Sequence, residues 1–233
     1  MIPIVLVTVL NCLENAMKDM RAIRDYLLSE LLPGVIHEIN NPLGAIIMNV
    51  SIAKEDFQAW KSDGTLPDIN MLHETCQDMD VASERMNVHL QALSYFAGTR
   101  FLEENGSFDV HLALKHALTL YHNKLKRLVK VTVQNGEGGP CMLKSGPARG
   151  ILAIILALET VLAGGGEREL LIRVETSGAR ARIVFSRENM KIDAIDDRLV
   201  ALARLDDIEL AVQGSSLSLA MVTNDPDASV PEA

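Results

Sequence analysis

His37-Glu38-Ile39-Asn40-Asn41-Pro42-Leu43-Gly44 is the stretch that decides the reading of this chain. On a helix, His37 and Asn41 stand one turn apart on a shared face, with the Glu38 carboxylate beside the imidazole. The flanking pattern predicts that helix. Apolar residues fall at Ile36, Ile39, Leu43, Ile46, Val50, Ala53 and Phe57, alternating steps of three and four as a heptad seam does. His37, Asn41, Ala45 and Met48 lie off the seam. The imidazole is therefore expected to point away from a bundle core, with Ile36 and Ile39 anchoring the backbone beneath it.

Working outward, Gly64 and Pro67 break the pattern within Trp60 to Asp68. A second seam then runs through Leu72, Cys76, Met79, Ser83, Met86, Leu90, Leu93 and Ala97, so two antiparallel helices are expected. A hairpin striped in this way leaves apolar surface wet when alone, and two copies are expected to pair into a four-helix bundle. Upstream, Leu10, Leu13, Met17, Met20, Ile23 and Leu27 are also helically spaced. They read as a lead-in helix over residues 1–30, interrupted or kinked at Pro33-Gly34 before the hairpin of residues 31–103.

Past Phe101 helical and extended segments alternate, with Asn105-Gly106 as a turn, and a second domain is expected over residues 106–224. Its predicted order is a short strand at 107–110, a helix at 111–128, a strand at 129–134 and a loop at 136–140. A buried helix at 146–162 follows, then a β-hairpin of strands 169–175 and 179–185 turning at Ser177-Gly178. A helix at 196–205 and a last hairpin of strands 208–212 and 216–222 complete it. Residues 225–233 read as a tail. The fold class is α+β: a helical hairpin followed by an α/β sandwich.

The net charge of −9 argues against a general nucleic-acid binder, since no basic stripe offsets it. The one basic cluster, Lys124, Lys126, Arg127 and Lys130, reads as a solvated helix face. Cys12, Cys76 and Cys141 are odd in number and lack a C-x-x-C pair. They suggest neither zinc nor disulfides, but free thiols in a reducing cytoplasm. The apolar run from Met1 to Leu10 is shorter than the ~20 residues a membrane-spanning helix needs and lacks a basic n-region, so a cytoplasmic protein without a membrane span is expected.

The octapeptide resembles the H-box of the dimerisation and histidine-phosphotransfer domain of two-component sensor histidine kinases, in the variant His-Glu-x-Asn-Asn-Pro-Leu. The order of elements after it is similar to the ATP-binding domain of the same family. The resemblance implies that His37 is a phosphoacceptor, that the hairpin is a homodimer, and that the partner is a response-regulator receiver domain. It also implies three nucleotide motifs in the second domain: an N-box asparagine for magnesium, an Asp-x-Gly-x-Gly turn and a glycine-rich lid. This chain departs from each. The helix that would carry the N-box has Leu152 and Leu156 where asparagines are expected, neither able to ligate a hard cation, and only Glu159 survives as a candidate. After the strand ending at Phe185 the chain reads Ser186-Arg187-Glu188-Asn189-Met190-Lys191, without a glycine. Gly164-Gly165-Gly166 follows a helix instead of opening one, so it reads as a helix stop and not an anion cradle.

The chain therefore resembles bacterial histidine phosphotransferases built from a kinase-like hairpin and a degenerate ATP domain. That likeness implies phosphoryl transfer to and from receiver aspartates through His37, with Glu38 orienting the imidazole or managing its proton. No cofactor is expected, magnesium being carried by the receiver. Gly44 and Ala45 keep the surface near His37 low, either for docking or for simple helix packing. Asn41 either orients a water for receiver dephosphorylation or caps a carbonyl freed by Pro42. Other readings are a phosphatase using Asn41, a non-enzymatic pseudokinase that binds a receiver or kinase, and an ATP-dependent histidine kinase.

Overall fold

The computed structural model describes residues 4–98 (side chains from residue 18), 108–136, 141–177 and 180–223. Helix α1 is Ile4–Asp63. Gly64 ends it, with φ at +79° and its N–H bonded to the Trp60 carbonyl, the left-handed stop that glycine adopts without strain. Helix α2, Ile69–Ala97, starts at Asp68, whose carboxylate accepts the Asn70 N–H, and packs back along α1.

The expected interruption at Pro33-Gly34 is not there: α1 runs through both Pro33 and Pro42, and no break separates residues 30 and 31. An internal proline costs a helix about 3 kcal/mol, and here tertiary packing offsets it. Leu27, Leu31 and Val35 are buried on α1, and Pro42 is buried in turn. The inward stripe also departs from the predicted seam. It passes through Val35, Pro42 and Asn49, whereas Ile36, Leu43, Val50 and Phe57 keep 46%, 39%, 37% and 53% of their surface exposed. Val35, one residue before Ile36, is the fully buried anchor within the chain, and Ile39, the other expected anchor, packs half-buried against the same core.

The second region contains β1 (Phe108–Asp109), α3 (Val110–Leu128), β2 (Lys130–Asn135), β3 (Met142–Leu143) and α4 (Pro147–Ala163). It continues with β4 (Glu169–Ser177), β5 (Arg180–Ser186), α5 (Asp197–Leu205), β6 (Glu209–Gln213) and β7 (Ser216–Val222). The five-stranded sheet runs β2-β4-β5-β7-β6, with β2 parallel to β4 and the other pairs antiparallel. The expected elements are present within a residue or two. The exception is β3, a two-residue strand pairing with β1 and too short to leave a period in the sequence. The turns expected at Asn105-Gly106, 137–140 and 178–179, and the tail, lie outside the described residues.

Ile151 to Leu158 of α4 are all fully buried, as a helix apolar on every side must be. α4 packs against the sheet at β5 and β7 and against α2, α3 and α5. Alternating burial along β5 leaves the opposite sheet face toward solvent. Met20, Leu27, Leu31 and Val35 of α1 and Ala92 and Phe96 of α2 belong to the same contiguous core as α3, α4 and the sheet. The hairpin and the second region are joined by buried apolar surface.

Candidate functional site

His37 is exposed on α1, at the edge of a cleft of about 460 Å³ between α1 and α3. The two helices touch at Gly34. A Cβ there would stand 2.9 Å from Asn123 Nδ2, which instead donates to the Gly34 carbonyl at 2.7 Å. The expected helix breaker is thus a close-approach residue. One turn beyond this contact, α1 presents His37 and α3 presents Arg127 to the same cleft, with Lys124 beside them.

Glu38 is turned elsewhere. Its carboxylate accepts a 2.7 Å charged hydrogen bond from Lys126. That bond, aided by the nearby His122 and His89, holds the Glu38 carboxyl below its usual range. Among the described residues no hydrogen bond joins it to His37. Asn41 lines a different groove, of about 580 Å³, between α1 and α2 with Asp78, Arg85 and His89. No side-chain hydrogen bond of Asn41 occurs among the described residues, and none ties it to the carbonyl that Pro42 leaves unpaired. Gly44 is exposed, and a Cβ built on it would meet nothing within 4 Å, so the surface one turn past Asn41 is low.

The basic cluster lies at the surface as expected, with Lys126, Arg127 and Lys130 exposed, but much of it is paired: Lys124 binds Glu30 at 3.1 Å and Glu159 at 3.4 Å, Lys126 holds Glu38 and Lys130 meets Glu169 at 3.7 Å, while Arg127 lines the His37 cleft. The pairs with α1 join positions 88 to 94 residues apart, beyond any local periodicity.

The end of α4 is closed. Glu159, the one candidate metal ligand there, accepts Arg198 Nη2 at 2.7 Å, the Tyr121 hydroxyl at 3.2 Å and Lys124 at 3.4 Å. Asp196 also binds Arg198, which raises the arginine's pKa, while burial and then the Glu159 charge raise that of Tyr121. Beyond β5, buried Arg187 donates to the carbonyls of Val161, Gly166 and Glu167 at 2.8 to 3.3 Å. Burial lowers its pKa, and these carbonyls compensate the lost hydration. The end of the glycine run is therefore set against a guanidinium, with the Gly166 carbonyl turned toward it, the opposite polarity from a phosphate cradle. Gly166, at φ +98°, has no room for a side chain, since a Cβ would fall 2.7 Å from the Glu188 carbonyl. Among the described residues no group of three or more His, Cys, Asp or Glu side chains is arranged to hold a metal, and no helix is long and apolar enough to cross a membrane.

No protein-family model matches the chain, and no curated protein matches it. Among solved structures it is similar to the Acinetobacter baumannii histidine kinase AdeS, at 16% identity and a TM-score of 0.43 over 76% of this chain and 96% of that one. A bacterial phosphotransferase is similar at 14% identity and a TM-score of 0.39, over 84% and 94% of the two chains. The Erythrobacter litoralis blue-light activated histidine kinase EL346 is similar at 15% identity and a TM-score of 0.42, over 83% of this chain and 63% of that one. The chain thus pairs a helical hairpin with a mixed-sheet α/β region, and its likenesses among solved structures are to histidine kinases and a phosphotransferase.

Proposed function

We propose that this chain is a histidine phosphotransferase of a two-component phosphorelay, passing phosphoryl groups to and from receiver aspartates through His37 without binding ATP. One observation carries the reading: His37 is exposed beside an open basic cleft, while the groups at the end of α4 and after β5 are consumed by Arg198, Lys124 and Arg187. A neutral imidazole nitrogen attacks the acyl phosphate. A P–N bond forms as the P–O bond breaks, and the electron pair stays on the receiver carboxylate. The receiver brings its own magnesium, and this chain supplies the nucleophile and its setting. The half-exposed stripe Ile36, Leu43, Val50 and Phe57 supports a homodimer, since a second hairpin would cover it. Mixing the protein with a phosphorylated receiver should label His37, and His37→Gln should abolish the label. Label on His37 from ATP and magnesium alone would overturn the proposal.

Asn41 favours a second activity on the same surface. Its carboxamide is exposed and unengaged among the described residues, so it is free to orient a water against a receiver acyl phosphate. Asn41→Ala should then slow receiver dephosphorylation and leave His37 labelling intact; an unchanged dephosphorylation rate removes this reading.

A further inference from the structure

The cleft beside His37 holds one carboxylate and two cations. The Glu30 carboxylate is occupied, accepting the Tyr26 hydroxyl at 2.8 Å and Lys124 at 3.1 Å. Lys124 is shared in turn with Glu159. Arg127 differs: it is exposed, lines the cleft, and makes no ion pair among the described residues. Asn123, Lys124, Arg127 and Leu128 share one face of α3 by helical spacing, as Glu30, Pro33, Gly34 and His37 do on α1. The Gly34–Asn123 contact pins the two faces together. His37 and Arg127 each lie one turn further along, about 5 Å by helical rise.

A basic last turn of a helix interacts favourably with the helix dipole wherever it faces. That accounts for a cation near residue 127, but not for its sharing a pocket with an exposed histidine in a chain of net charge −9. We propose that this cleft is an oxyanion site for the phosphoryl group carried on His37, with Arg127 as the positioning residue that pairs with its oxygens. The inference rests on His37 being the phosphoacceptor. The planar guanidinium matches phosphoryl oxygens bidentately and stays charged at any working pH. The second region thus acts on the transfer it does not energise, by presenting α3 to the H-box. Lys124 closes the cleft and keeps Glu30 neutralised. At about 460 Å³ the space accepts a phosphoryl group and the tip of the side chain that delivers it.

Phosphoramidate, a small anionic phosphoryl donor, tests this without a receiver. The imidazole nitrogen forms a new P–N bond as the donor P–N bond breaks; ammonia leaves with the electron pair, and the ring sheds its surplus proton to solvent. Phosphohistidine is followed by ³¹P NMR, and the His37 ring resonances are followed separately during titration with inorganic phosphate. Arg127→Ala should slow uptake roughly tenfold and abolish the phosphate response of His37, with an unchanged thermal midpoint. Arg127→Lys should restore part of the rate, and added guanidinium should partly rescue Arg127→Ala. Wild-type uptake and an unchanged phosphate titration in Arg127→Ala would overturn the oxyanion site while leaving the phosphotransfer reading standing. No uptake by the wild type, together with a phosphate response that needs Arg127, would keep the anion site and sink the phosphotransfer reading.

Discussion

The cleft beside His37 and the end of α4 are assembled from the same materials, carboxylates and basic side chains of α1, α3 and neighbouring elements, but they are finished differently. At α4, Glu159 and Asp196 are cross-linked through Arg198, with Lys124 and Tyr121 bonded to the other oxygen of Glu159. In the His37 cleft, an exposed histidine and an arginine without an ion pair among the described residues line open space. Charges that satisfy one another rigidify a junction, whereas charges left facing a cavity remain available to a ligand. The difference separates a cluster whose charges are paired from a cleft that stays open to a ligand.

The strongest challenge to this contrast is Leu156→Asn, which puts an amide where an N-box would have one. Leu156 is fully buried among apolar side chains, so the variant should lose about 3–5 kcal/mol in denaturant unfolding, from lost apolar burial plus an unpaired amide. It should gain no ATP binding by calorimetry. ATP binding by this variant would mean that the α4 end is only one residue from a nucleotide site, and the contrast would fail.

A smaller effect is expected from Arg187→Met, which strands the carbonyls of Val161, Gly166 and Glu167. A loss of about 2–3 kcal/mol should appear in the same unfolding measurement, because hydrogen bonds from a charged donor are being removed. His37 phosphorylation should be unaffected. A fall in uptake rate would show that the glycine turn and the H-box are energetically coupled.

The smallest effect concerns the seam between the two regions. His116 of α3 is buried, with both ring nitrogens unbonded, and is stacked on Tyr95 of α2 at 5.0 Å and on Phe108 at 6.1 Å. Burial, then the Lys115 charge, lowers its pKa. Below the ordinary value of 6.5 the unfolded chain binds a proton at this ring that the folded chain refuses, so stability is complete above that pH and declines as pH falls toward the folded value. His89, lowered chiefly by burial, adds a slope of the same sign. His116→Phe should keep the stack and flatten the acid limb of stability against pH; an unaltered limb would remove His116 from the seam's titration.

Much of this fold is legible in local pattern because its helices and strands obey local rules. The seams of three and four give α1 and α2, the apolar run gives α4, and Gly214, at φ +57° in the β6–β7 turn, marks a hairpin. His37 is legible too, since the octapeptide is contiguous. Three features are not legible. Pro33 and Gly34 carry a helix-breaking signal, yet packing against α2 and the Asn123 contact keep α1 continuous. The inward stripe of α1 differs from the seam by one residue, because which face is buried depends on where α2 and α3 lie, which local spacing does not specify. The pairing of the cluster at 124–127 is hidden because its partners Glu30 and Glu38 are close only in space.

The sequence alone determined the secondary elements and the octapeptide around His37, since each is written in neighbouring residues. Only the tertiary structure decided which charges are spent and which are free. Arg187 and Arg198 are engaged by carbonyls and carboxylates, whereas Arg127 makes no ion pair among the described residues, and this depends on contacts between segments tens of residues apart, where folding brings together what periodicity cannot.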